Sequence, residues 1–134
     1  MYRVSVRDHV MVAHSLPDPF FGPAQGKHGA TYVVELVLAA RELDAHGVVA
    51  DIGAATTALA GGLDGLRYRD LDEHPAFTGQ LTTTEVLARW VADRVVEAGR
   101  PDGAAPGLTE GLDHLEVVLR ETPDAWASYR TDDL

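Results

Sequence analysis

Residues 2–14 read Tyr2-Arg3-Val4-Ser5-Val6-Arg7-Asp8-His9-Val10-Met11-Val12-Ala13-His14, and residues 28–38 read His28-Gly29-Ala30-Thr31-Tyr32-Val33-Val34-Glu35-Leu36-Val37-Leu38. In the first stretch Tyr2, Val4, Val6, Val10, Val12 and His14 share one parity, while Arg3, Ser5, Arg7 and His9 take the other. Successive side chains of a strand point to opposite faces, so this period of two marks a half-buried β-strand with Asp8 as its one internal flaw. The second stretch repeats the pattern, with Ala30, Tyr32, Val34, Leu36 and Leu38 on one face and Thr31, Glu35 and Arg41 on the other. Each apolar face carries a histidine at one end, His14 closing the first strand and His28 opening the second. Between them Pro17, Pro19, Gly22, Pro23 and Gly26 punctuate a loop too long for a tight hairpin, and loops of this length are often functional. Antiparallel pairing of the two strands brings His14 and His28 onto one interior face.

Further along, Asp44-Ala45-His46-Gly47 reads as a turn, and Val48–Ile52 leads into a small-residue helix over Ala54–Leu63, ended by Gly61-Gly62 or by Gly65. Residues 66–79 show no period and carry Arg67, Arg69, Asp70, Asp72, Glu73 and His74, the composition of a solvated loop. Thr82-Thr83-Thr84-Glu85 has capping-box spacing, and Val86, Leu87, Trp90, Val91, Val95 and Ala98 recur at helical intervals until Gly99 and Pro101. A linker over 102–111 precedes a third strand, with Leu115, Val117, Leu119 and Glu121 on one face and Glu116, Arg120 and Thr122 on the other. After Pro123-Asp124, residues 126–130 form a short last strand and 131–134 a frayed tail. The expected architecture is α+β, one domain over residues 1–134, with an antiparallel four-stranded sheet and two helices on one face in the order ββααββ.

The composition excludes several functions. Eleven basic against 21 acidic residues give a net charge of −10, which disfavours binding to a phosphate backbone or an anionic membrane surface. No nucleic-acid or membrane partner is therefore expected. Zero cysteines remove disulfides, thiolate metal ligands and thiol nucleophiles. The N-terminus lacks a signal-peptide plan and no apolar run approaches the roughly 18 residues of a membrane span, so a cytoplasmic location is expected.

His14, His28 and Glu121 each stand where the apolar face of a strand calls for an apolar residue, and a polar group there needs a hydrogen bond, a metal or a ligand. A single such histidine is ordinarily a hydrogen-bonded core residue. Three that can converge point to a site. Two imidazoles are one short of the three protein ligands of a catalytic zinc, and Ala30 stands where a third histidine would fall. By parity Lys27 is a surface lysine, His9 is exposed, and His114 lies on the face opposite Glu121. Glu85 is accounted for by the helix cap.

With these residues placed, the chain resembles the 6-pyruvoyl-tetrahydropterin synthase and 6-carboxytetrahydropterin synthase family over nearly its whole length. The family's strand end in Ala-His is similar to Met11-Val12-Ala13-His14 followed by Leu16-Pro17, and its His-Gly-His is similar to His28-Gly29-Ala30. Its Asp-Phe after a glycine turn resembles Asp51-Ile52 after Gly47. Its Pro-Thr-Ser-Glu helix start resembles Thr82-Thr83-Thr84-Glu85, and its Glu-Thr followed by a Tyr-Arg strand resembles Glu121-Thr122 and Tyr129-Arg130. The resemblance implies the tunnelling fold, assembled as a trimer or hexamer with active sites between subunits. It implies Glu121, beside Thr122, as the anchor for the guanidine-like edge of a pterin, and His14 and His28 as two of three zinc histidines.

The departures fall on the chemistry. The third zinc histidine is replaced by Ala30, the catalytic cysteine by Ala24, and the Asp-His pair of Leu-Asp-His-x-x-Leu-Asn by Arg67-Tyr68. No cofactor is expected, since zinc would find only the remnant His14 and His28. The expected function is that of a diverged lyase or cyclase acting by metal-independent acid–base chemistry on a small heterocyclic or polyol-bearing substrate, in specialised metabolism. His14 or His28 would be the base, with Tyr68 or Arg67 stabilising developing negative charge. Two alternatives stand beside it. One is an inactive paralogue that binds a ligand or joins a homologue's oligomer. The other is a genuine synthase whose third zinc ligand comes from elsewhere, such as His74 or a neighbouring subunit.

Overall fold

The computed structural model describes residues 1–134, and four strands form one antiparallel sheet: β1 (Tyr2–His14), β2 (His28–Ala40), β3 (His114–Thr122) and β4 (Ala125–Thr131), in spatial order β1-β2-β3-β4. The β1–β2 register pairs Tyr2 with Ala40, Val12 with Ala30 and His14 with His28. Parity then decides burial: Val10, Val12, Tyr32, Val34, Leu36, Leu38, Leu115, Val117 and Leu119 are buried on one face.

Two helices cover that face. α1 (Ile52–Asp64) starts two residues earlier than expected because the Asp51 side chain accepts from Ala54 N–H at 2.9 Å. It runs through Gly61-Gly62 to Asp64. Gly62 faces α2, where an added Cβ would lie in ordinary van der Waals contact with Arg94 Cβ at 3.5 Å and Val91 O at 3.7 Å. α2 (Thr84–Ala98) buries Leu87, Ala88, Val91, Ala92 and Val95, the stripe its periodicity demands. Its cap is Thr83, which accepts from Val86 N–H, and not Thr82. Glu85 is therefore one residue out of capping-box register and has no part in the cap.

Three segments depart from the expectations. Residues 66–79 are not a featureless loop: short 3-10 turns at Leu71–Glu73 and Pro75–Phe77 bury Leu71 and Phe77 in the core, joining Leu66 ahead of them. The spacing of these three residues matches neither a strand nor a helix period, so no pattern announces them. The loop after β1 likewise contains 3-10 turns over Pro19–Gln25, capped by Asp18. Thr131, assigned to a frayed tail, is paired with Leu115 inside β4.

Asp8 lies on the core-facing parity of β1, and the fold supplies its partner. Arg67 donates to Asp8 Oδ2 at 2.8 Å, to the His9 carbonyl at 3.0 Å and to Asp64 Oδ1 at 3.2 Å. Partial burial alone would raise the Asp8 carboxyl, but the His9 N–H and the Arg67 guanidinium outweigh it and hold the group below its ordinary range. Next to Arg67, Tyr68 N–H donates to Met11 O and Ala13 N–H to Arg69 O, so residues 68–70 run parallel to the upper edge of β1. Arg67→Met should destabilise the chain by about 1–3 kcal/mol, since it strands a half-buried carboxylate. Arg67→Met with Asp8→Ala should recover part of that loss in urea unfolding, and purely additive effects would show the pair to be uncoupled.

Candidate active site

The sheet's buried face turns polar at the end where β1 stops and β2 begins. His14, 2% exposed, and His28 face each other from paired positions, with ring centroids 4.6 Å apart and planes inclined at 62°. His14 Nδ1 shares a hydrogen bond of 2.9 Å with the hydroxyl of buried Thr82, just ahead of α2. Burial pushes the His14 imidazole below its ordinary value, and the adjacent His28 acts in the same direction. His14 is therefore neutral at pH 7 and able to take a proton. His28 Nδ1–H donates to Gly26 O at 2.8 Å, which leaves Nε2 as the ring nitrogen not engaged by the backbone.

These residues line a cleft of about 240 Å³ together with Leu16, Phe21, Ala24 and Tyr32, with Thr83, Thr84 and Glu85 from the start of α2, and with Glu121. A second cleft of about 290 Å³ shares Thr84, Glu85 and Glu121 and continues along β4 past Ala125–Ser128. Glu121 sits in a β-bulge: Arg120 pairs with Trp126 and Thr122 with Ala125, leaving Glu121 as the extra residue. It is exposed in the single chain, not buried as its parity implied. The bulge interrupts the alternation at the sheet's rim and leaves the carboxylate bordering both clefts. A larger groove of about 610 Å³ follows α2, where Arg94 pairs with Glu97 and Arg89 with Asp93.

Tyr32 and Glu85 are the site residues that the sequence did not disclose. Tyr32 reads as core and is 1% exposed, yet its ring borders the cleft. Burial, with the charge of Glu121, pushes its phenol up to about 12, so at neutral pH it keeps its proton and can donate it in a hydrogen bond. Thr122, expected as a ligand contact, instead accepts from Asp124 N–H in the β3–β4 turn. Arg67 and Tyr68 do not line the cleft of their own chain. Arg67 is engaged by Asp8, and Tyr68 projects from the β1 edge, 85% exposed, with φ +55°.

Lys27 lies on the surface, as its parity implied, and is held there by ion pairs. Its ammonium contacts Asp70 and lies 2.9 Å from Asp72 Oδ2, while Asp72 also accepts from Ser15 N–H at 3.0 Å and Ser15 Oγ–H at 2.7 Å. Burial opposes ionisation of Asp72, but these donors prevail and its carboxyl falls to about 2. A carboxyl depressed in the folded state stabilises the protein above the unfolded value near 4, and that contribution fades as pH falls toward 2. Asp72→Asn should therefore cost about 1–2 kcal/mol at pH 7 and about half as much at pH 3, measured by urea unfolding at each pH. An equal cost at both pH values would rule out the carboxylate's charge as the cause.

The family's zinc does not fit these residues. A catalytic zinc site takes three protein ligands. His14 and His28 supply two, the next inward position of β2 is the methyl group of Ala30, and nowhere does the chain gather three His, Cys, Asp or Glu side chains suited to a metal. His74 is committed elsewhere: Nε2–H donates to Gly65 O at 3.0 Å, Nδ1 accepts from Ala76 N–H at 3.1 Å, and the ring packs between Phe77 and Trp90. Ala30→His should tighten Zn(II) binding at least about tenfold over the parent in a competition titration. Unchanged affinity would mean that position 30 does not face the histidine pair.

A four-stranded antiparallel sheet backed by two helices, with a histidine and glutamate cleft at one end, is the tunnelling fold. The family model for 6-pyruvoyl tetrahydropterin synthase matches residues 3–132, and the chain belongs to that family of lyase-type enzymes. The 6-carboxy-5,6,7,8-tetrahydropterin synthase of Bacillus subtilis (strain 168) is 29% identical over 126 residues, spanning 91% of this chain and 80% of the relative. The 6-pyruvoyl tetrahydropterin synthase of Caenorhabditis elegans has the same fold with a TM-score of 0.80 at 22% identity, covering 97% of this chain and 95% of that one. For the Plasmodium falciparum 6-pyruvoyl tetrahydropterin synthase the TM-score is 0.78 at 14% identity, with 98% of each chain covered. No helix of the chain is long and apolar enough to cross a membrane.

Proposed function

We propose that this chain is a diverged member of its family, a lyase or cyclase that works on a small heterocyclic or polyol-bearing molecule by acid–base chemistry without a metal. The observation that carries this proposal is the His14–His28 pair: two imidazoles face each other in a cleft with Glu121, and neither a third ligand nor a thiol stands beside them. Glu121 would accept two N–H donors from the guanidine-like edge of a heterocycle, a charge-assisted pairing suited to a carboxylate. Neutral His14, or Nε2 of His28, would then remove a proton from the side chain of the bound molecule. The Tyr32 phenol, protonated at neutral pH, would donate to the ring system or to the oxygen on which charge develops.

Arg67 is poorly placed for that last role because Asp8 already neutralises it. Tyr68 keeps the role only between copies. The sheet's edges are β1 and β4, and pairing them between copies would close it into a trimer or hexamer and bring the exposed Tyr68 of one subunit toward its neighbour. The engagement of both His74 nitrogens weighs against a genuine synthase with a displaced zinc ligand.

Pterins with different side chains, tested by thermal shift, should raise the melting temperature of the parent but not of Glu121→Ala, since only a folded-state ligand stabilises the fold. His14→Ala should keep the shift while losing about 10²–10⁴-fold in any turnover found. The absence of a shift with every pterin would remove Glu121 as their anchor, and turnover surviving both His14→Ala and His28→Ala would remove the histidines as bases.

A further inference from the structure

β1 and β2 end at His14 and His28 without a tight turn between them. The connection over residues 15–27 is long and irregular, so the His14–His28 rung that ends the β1–β2 ladder is backed on the loop side only by the Leu16 N–H bond to Ala24 O at 3.1 Å. Strand ends joined in this way ordinarily fray. Both histidines are nonetheless bracketed by one set of ion pairs.

Ser15, which follows His14, donates its backbone N–H and its hydroxyl to the two oxygens of Asp72. Lys27, which precedes His28, places its ammonium on Asp72 and Asp70. Ala13, which precedes His14, donates its N–H to Arg69 O beside the same turn. The turn is rigid in its own right, because Asp70 Oδ1 accepts from Asp72 N–H at 3.1 Å and Leu71, between them, is 1% exposed in the core. Asp72 thus joins the residue after one histidine to the residue before the other and ties both to the core.

We propose that Asp72, with Lys27 and Ser15, is a positioning unit that clamps the ends of β1 and β2 and keeps the two imidazoles edge to face, the task a shared metal ion would otherwise perform. Asp72 touches neither ring, so it acts through backbone placement. The clamp rests on the proposal that the histidine pair works without a metal, but its test needs neither substrate nor turnover.

The test is NOE spectroscopy on the full-length, isotope-labelled chain, following the cross-peak between ring protons of His14 and His28. The parent should show it, Asp72→Asn and Lys27→Met should weaken it severalfold, and Lys27→Arg, which keeps a donor to both aspartates, should restore most of it. Arg67→Met, which breaks a different ion pair of β1, should leave it intact, and this separates positioning from general loosening. Ser15→Ala, missing one of the three donors to Asp72, serves if Asp72→Asn does not fold and should weaken the peak in the same sense. Full intensity in Asp72→Asn and Lys27→Met, an equal loss in Arg67→Met, or no cross-peak in the parent would each overturn the clamp. A normal NOE pattern in a chain that binds no pterin would uphold the clamp and remove Glu121 as a pterin anchor instead.

Discussion

The structure depends first on the register between β1 and β2. With Val12 opposite Ala30 and His14 opposite His28, the inward residues of both strands fall on the side that the helices cover. A slip of β1 by one residue would turn Val10 and Val12 out to solvent and send Arg7 and His9 inward, a loss far beyond what any surface contact could offset. The same register decides where the chemistry stands. The two histidines lie on the core side only because they continue the parity of the valines before and the tyrosine after them.

A site can form there because the apolar face runs out before the strands do. α2 begins at Thr84, and the polar residues at its start meet the strand ends, so Thr82 binds His14 while Thr84 and Glu85 border the cleft. Neutral His14 and protonated Tyr32 then share a small cleft with different proton affinities, beside the Glu121 side chain at its rim, the condition under which neighbouring groups can divide acid and base roles. The departures that the resemblance implies are coherent in the same terms. With Ala24 and Ala30 where the resemblance puts a thiol and an imidazole, the proposed site would keep proton-transfer groups and a carboxylate anchor but not the ligands of a Lewis acid.

Several elements were legible because their signals are local. Alternation reports on both faces of a strand, and the stripe from Val86 to Ala98 reports on one face of α2. His14, His28 and Glu121 could be picked out because each breaks an apolar pattern at a strand end. Other features are silent in one dimension. The bulge that sets Glu121 at the rim arises from a mismatch with β4, and the one-residue shift of the α2 cap from Thr82 to Thr83 changes Glu85 from a capping residue into a cleft residue. Tyr32 looks like any aromatic core residue until its neighbours are known.

By itself the sequence determined the four strands and two helices, their order, the faces they bury and the residues that interrupt those faces. Each follows from steric and hydrophobic preferences that act within one or two turns of chain. The tertiary structure alone decided which polar groups meet: Asp8 with Arg67, Ser15 and Lys27 with Asp72, and His14 with Thr82, all between residues more than forty positions apart. Such pairs have no period. They follow from how the 66–79 segment and the start of α2 settle against the sheet, and burying Leu71 and Phe77 is what settles the segment. The hydrophobic effect, which is non-directional, thereby delivers charged groups to specific partners and sets what Arg67, Lys27 and the two histidines are free to do.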